Sequence, residues 1–145
     1  MDTEKDCIDP CPVSRALQRI GDRWSLMILR DAGHGATRFD QFQKKLGIAP
    51  NILTRRLAGL VEVGVLEKYR YSLRPPRDEY RLTPRGRDLL PVIDVIGAWG
   101  SRHFGQGGVT RTVDAASGAP VEALVIDRHS GRPIGEIDKK LVLPG

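Results

Sequence analysis

Asn51, Thr54, Arg55 and Ala58 fall at i, i+3, i+4 and i+7 of the segment NILTRRLAGLVEVG. That spacing lines them along one face of a helix. Ile52, Leu53, Leu57, Leu60 and Val61 take the other face. The first face is slim and built of small or hydrogen-bonding side chains. A face of that kind fits a DNA major groove, where Arg pairs bidentately with guanine and Asn with adenine. Arg74 and Arg77 flank two prolines in SLRPPRD, and Lys44-Lys45 close the preceding apolar-patterned segment. The arginines suit contact with a phosphate backbone. The lysine pair suits either that contact or plain solvation.

These side chains need elements to hold them. In RFDQFQKKLG, Arg38 to Gly47, the residues Phe39, Phe42 and Leu46 make one apolar helical face. Gly47 suits the stop, where a residue past the last turn often needs positive φ. Ile48-Ala49-Pro50 then opens the second helix, with Pro50 in its first turn. VLEKYRY reads as a strand, SLRPPRD as a tip, and EYRLT as the returning strand. The organisation is a helix-turn-helix followed by a basic β-wing, an α+β architecture. The blander reading is a small α+β domain with a solvated basic face.

Charge is distributed to match. The chain of 145 residues carries a net +5. Residues 38–87 hold 12 Lys/Arg against 5 Asp/Glu, residues 1–12 hold one against four, and residues 105–145 hold five of each. Cations gathered on one module are the footprint of a phosphate-binding surface. RNA and anionic membranes also attract such a module, but neither an aromatic RNA-binding motif nor a long basic amphipathic helix accompanies it. The start MDTEKDC is acidic and lacks the apolar run of a secretory signal. No stretch approaches a membrane span. Two cysteines do not make a secreted disulfide framework. A cytoplasmic location is the expectation.

Residues 1–10 read as an acidic arm. Val13, Leu17 and Ile20 mark a short helix from Pro12, broken by Gly21. A second helix is predicted from Trp24 to Asp31, with Trp24, Met27 and Ile28 inward. A short strand is expected at Thr37–Phe39. Thr83-Pro84 makes a good helix start, Thr as cap and Pro at the first position. Leu89, Val92, Ile93, Ile96 and Trp99 then form a long apolar stripe to about His103, with Pro91 expected to kink it or delay its regular start. The stripe serves either the chain's own core or a dimer face packed with Val13 and Leu17. Beyond the flexible GQGG, residues 109–145 form a small appendage. Strands are expected at Val121–Ile126 and Ile134–Val142, with a third candidate at Val109–Val113. Val121, Ala123, Val125, Leu141 or Leu143 are expected to bury against other surface. SGAP at 117–120 and SGRP at 130–133 echo each other.

Over about residues 11–104 the chain resembles the HxlR-type family of bacterial winged-helix transcription regulators. The resemblance rests on Cys11-Pro12-Val13, Trp24 with Leu29-Arg30, Thr54 with Arg56-Leu57, and Tyr80-Leu82-Thr83-Gly86. It implies a dimeric DNA-binding regulator, built on the first and last helices, without enzymatic activity or cofactor. It puts the recognition helix at about Pro50 to Gly64 and the wing at about 72–79. Asn51, Thr54 and Arg55 would face DNA, Arg74 and Arg77 would sit in the wing, and the operator would be an inverted repeat. Arg56 is open between a phosphate contact and a bond within the protein.

Cys11 stands just before Pro12 and an inferred helix, where the helix dipole lowers a thiol's pKa. Some family members use this cysteine as a redox or electrophile sensor, and Cys7 is placed to resolve a sulfenate. Asp6 and Asp9 work against thiolate formation. The other reading is a half-buried small hydrophobe at a dimer interface. The appendage looks like a zinc-ribbon-like hairpin with serines where the metal-binding cysteines would stand, so no metal is expected. A small-molecule effector is a further expected partner. The alternative function is a winged helix used for protein interaction or RNA binding.

Overall fold

The computed structural model describes residues 9–145. In chain order the elements are α1 Pro12–Ile20, α2 Arg23–Gly33, α3 Phe39–Leu46, α4 Pro50–Glu62, β1 Leu66–Leu73, β2 Pro76–Leu82, α5 Pro84–Phe104 and a short 3-10 turn, Ile134–Glu136. Among the described residues, five helices and a two-stranded antiparallel sheet make the expected α+β winged helix-turn-helix. The chain divides at Leu90/Pro91 into two compact units.

In the first unit the core gathers Ile28 and Leu29 from α2, Phe42 from α3, Leu53, Leu57 and Leu60 from α4, and Leu66 from β1. All are essentially sealed from water. Truncating any one to Ala costs about 2–5 kcal/mol, through lost transfer energy and the cavity left behind. The helix α2 is longer than its apolar pattern suggests. Asp22 caps it, accepting the Ser25 amide at 2.9 Å and the Ser25 hydroxyl at 2.5 Å. Leu29 reaches the core, whereas Trp24 and Met27, expected inward, are only half-buried. At the end of α3, Gly47 adopts φ +62°, the left-handed stop its position called for. Pro50 opens α4 at its first position, as expected.

The wing is a hairpin in which Leu66 pairs with Leu82 and Leu73 with Pro76, with an irregularity between Arg70 and Ser72. A third short segment joins its edge. Arg38 bridges Glu79, and the Thr37 carbonyl accepts the Tyr80 amide at 2.6 Å. Thr83 caps α5 as expected. Its hydroxyl accepts the Gly86 amide at 3.1 Å and donates to the Gly64 carbonyl at 2.5 Å, tying the helix start to the α4–β1 turn. At Gly86 a Cβ would lie 2.1 Å from the Val65 carbonyl oxygen, so only glycine fits there.

The second unit begins at Pro91, inside α5. Proline has no amide hydrogen, so the carbonyl of Arg87 loses its usual helical donor. Beyond Phe104 the expected strands do not form. Residues 109–145 contain two isolated bridges, Val113 to Pro120 and Ile126 to Pro133, with the 3-10 turn where the second strand was expected to start. Prolines 120 and 133 deny the ladder a donor at each bridge. Val121, Val125, Leu141 and Leu143 are exposed rather than buried, and Ala123 is half-buried. The sequence echo has a common structure. Asp114 and Asp127 each head a turn whose glycine, Gly118 or Gly131, takes φ near +70° and donates to the aspartate's carbonyl at 2.8 Å. In each, the aspartate side chain accepts a serine amide, from Ser117 or Ser130.

Candidate nucleic-acid interface

The amphipathic division of α4 is realised. Leu53, Leu57 and Leu60 are buried, while Asn51, Thr54, Arg55 and Ala58 are exposed on the other side. Asn51 and Arg55 have no side-chain hydrogen bond or ion pair among the described residues. Their donors and acceptors remain free for a partner. Thr54 differs: its hydroxyl donates to the Pro50 carbonyl at 2.9 Å, a back-bond within the helix.

Arg56 resolves toward the protein. Its Nε lies 3.4 Å from Asp22 Oδ1, so the α2 cap also anchors α4. Burial works against charge on the Asp22 carboxyl. The Ser25 hydroxyl and amide and the Arg56 guanidinium outweigh it and hold the carboxyl below the ordinary carboxylate range.

At the wing, Arg74 and Arg77 flank the exposed tip and carry no side-chain partner among the described residues. The cations lower in the hairpin are engaged. Arg70 donates to Asp78 at 3.0 Å, and Lys68 lies 3.5 Å from the same carboxylate. The hydrogen bond from Arg70 is the main cause of the lowered Asp78 pKa, and it raises that of Arg70 in return. Free positive charge on the hairpin is thereby concentrated toward its tip. Lys44 and Lys45, in the last turn of α3, are exposed and unpaired among the described residues.

Arg38 escaped the sequence reading. It is exposed at the start of α3, with its guanidinium stacked 4.5 Å from the Tyr71 ring centroid. Gln41 fixes the same corner, its side-chain oxygen accepting the amides of Thr37 and Arg38 at 2.9 and 3.0 Å. The available signal was Gln three residues after the helix cap, the back half of a capping box.

An HxlR-like helix-turn-helix model matches residues 19–107. The chain belongs to the HxlR-like helix-turn-helix family. An uncharacterized HTH-type transcriptional regulator of Mycobacterium tuberculosis H37Rv is 48% identical over 92 residues, 63% of this chain. That stretch spans 58% of the relative's own length. The crystal structure of PA1607, a candidate transcription factor, superposes with a TM-score of 0.85 at 41% identity, covering 95% of this chain and 98% of the other. The redox regulator HypR in its oxidized form gives a TM-score of 0.60 at 32% identity over 64% of this chain and 97% of its own. Among HxlR-like features, the marker Gly86 is explained by its contact with Val65, and the marker Arg56 by its pairing with Asp22.

Most of the side chains expected at a dimer face are solvent-facing in the single chain. Val13 and Leu17 on α1 are more than half exposed, and α1 has no buried residue. On α5, Val92, Ile96 and Trp99 are exposed, with Leu89 and Ile93 half-buried. Cys11 is an exposed free thiol at the N-cap of α1, its amide donating to Asp9 at 2.9 Å. Cys7 lies outside the described residues. No helix among those described is long and apolar enough to cross a membrane.

Proposed function

We propose that the protein is a homodimeric bacterial transcription regulator, working in the cytoplasm, that binds an inverted-repeat DNA operator. The observation that carries this is the unpartnered outer face of α4, with Asn51 and Arg55 presented beside Thr54 on a helix whose other side is locked in the core. Inserted in the major groove, that face reads bases. Arg74 and Arg77 at the wing tip, with Lys44, Lys45 and the backbone around Pro50, take phosphates. Residues 11–104 act as the DNA-binding and dimerisation region, and residues 109–145 as an appendage to it. The dimer joins α1 and α5 through Val13, Leu17, Leu89, Val92, Ile93, Ile96 and Trp99. Exposed large apolar side chains on each helix favour association. The two recognition helices then lie about 34 Å apart, one turn of B-DNA. Selection of bound genomic DNA, followed by anisotropy titration on the selected duplex, tests the proposal. A palindromic site whose affinity falls steeply with salt supports it. Equal affinity for single-stranded and duplex probes of any sequence refutes it.

A redox response through Cys11 is a second reading. The exposed thiol at the N-cap of α1 and the likeness to the redox regulator HypR favour it. Oxidation would act at the dimer face, since α1 carries both Cys11 and the exposed Val13 and Leu17.

A further inference from the structure

A pocket of about 380 Å³ opens within the first unit. The end of α2 and the loop after it form one side, β2 a second and the first turns of α5 a third. Its size is at the lower end of the range for small-molecule sites, about 300–1,000 Å³. One surface is built from residues with little or no side chain, including Gly33, Gly35 and Ala36. Leu82 and Leu90 supply apolar walls. Leu90 is seated hard against backbone, since a Cβ at Gly33 would come within 2.9 Å of one of its methyl groups. A side of glycines and alanine between aliphatic walls leaves room for a planar ring rather than a branched body.

The polar groups at this site are of one sign. Two arginines line it and no carboxylate does. Arg81 is already occupied, paired with Glu79 at 3.4 Å and stacked over the Tyr69 ring at 4.0 Å. Arg87 has no side-chain partner among the described residues. Tyr80, whose hydroxyl has no partner among the described residues, also lines the pocket. An unpaired arginine on the lining of a pocket with aliphatic walls matches a carboxylate carried on a ring.

We propose that this pocket binds a small aromatic monocarboxylate, held by Arg87, and that its occupancy is transmitted to the wing. The route is short. Tyr80 and Leu82 belong to wing strand β2, and the Thr37 carbonyl on the facing loop accepts the Tyr80 amide at 2.6 Å. The loop is fixed in turn by buried Asp31, whose carbonyl accepts the Ala36 amide at 3.0 Å. A ring inserted here touches the strand that carries Arg77 and the helix start that carries Arg87 together. The regulatory consequence rests on the DNA-regulator proposal, whereas the binding itself does not.

The test uses the full chain, labelled for amide NMR and titrated with benzoate, with benzamide as the neutral isostere. Saturable shifts at Gly35, Thr37, Tyr80 and Leu82 are expected with benzoate. Arg87→Gln, an exposed change that leaves the core alone, should weaken binding about tenfold, as should replacement of benzoate by benzamide. Benzoate shifts that do not saturate, that map elsewhere, or that are equal in Arg87→Gln overturn the site. Anisotropy with the selected duplex then reads the coupling: a change of about threefold or more in DNA affinity on saturating benzoate supports it, within the usual range of coupling. No change overturns the coupling. A protein that binds no duplex at all would refute the regulator proposal while leaving the NMR result to judge the pocket.

Discussion

Arg38 and Tyr71 clasp the wing to the helix-turn-helix. The guanidinium at the start of α3 lies 4.5 Å from the ring centroid of a β1 residue at the irregularity in the hairpin. The stack orients the wing through a side-chain pair in addition to the backbone bond between Thr37 and Tyr80. An exposed cation–π pair contributes about 0.5–1 kcal/mol. Tyr71→Ala should therefore weaken DNA binding by about two- to fivefold, while Tyr71→Phe, which keeps the ring, should not. Competition anisotropy measures both; equal affinities for the two variants would remove the clasp from the binding energy.

The two arginine classes should separate cleanly. Arg55→Ala should cost about 1–3 kcal/mol on the preferred site and relax selection at one base pair. Arg77→Ala should weaken every duplex alike and reduce the salt slope by about one. Binding-site selection repeated with each variant distinguishes them, and an unchanged site for Arg55→Ala would reassign the face.

Ile96→Asp places a charge in the proposed dimer face. Light scattering should show a dimer for the parent at micromolar concentration and a monomer for the variant, with loss of operator binding. A parent that is monomeric under those conditions contradicts the dimer.

If Cys11 senses oxidant, peroxide or quinone should change duplex affinity, and Cys11→Ser should abolish that change. A persistent response in the serine variant would exclude Cys11.

Asp22 gives a pH signature. Its carboxyl is held below the ordinary carboxylate range in the folded protein, so it favours folding at pH values above its unfolded pKa. That contribution is lost as pH falls through the lower, folded value, in the region below about pH 4. Asp22→Ala should destabilise the fold at neutral pH by about 1–2 kcal/mol, removing the cap and the partner of Arg56. The deficit should shrink in acid. Urea unfolding at pH 7 and pH 3 measures the difference; an equal deficit at both would contradict a role for the charge.

The sequence was most legible where periodicity and punctuation agree. α1 runs over Pro12–Ile20 and α4 starts at Pro50, as proline, glycine and apolar spacing dictate. The wing followed from alternation around a proline-bearing tip. α2 exceeds its apolar pattern by one residue at its start, where Asp22 caps through Ser25, and by two at its end, where Ala32 and Gly33 stay helical. Arg38 was missed because its role depends on Tyr71, a residue 33 positions away brought near by the hairpin. The pocket is invisible to periodicity for the same reason, since it forms where residues 32–37 meet residues 80–90. In the appendage, β-branched composition suggested strands, but two prolines at the bridges and glycines at positive φ restrict pairing to single contacts.

The twin turns of the appendage have a chemical consequence. In one, Asp114 accepts the amides of Ser117 and Ala116; in the other, Asp127 accepts the hydroxyl and amide of Ser130. These bonds hold both carboxyls below the ordinary range. Each loop is thus cinched by an ionised aspartate side chain. Such a fastening is indifferent to chelators and to oxidants, and both cysteines of the chain lie at its other end. Its vulnerability is to acid: protonating the two carboxyls slackens both clasps together.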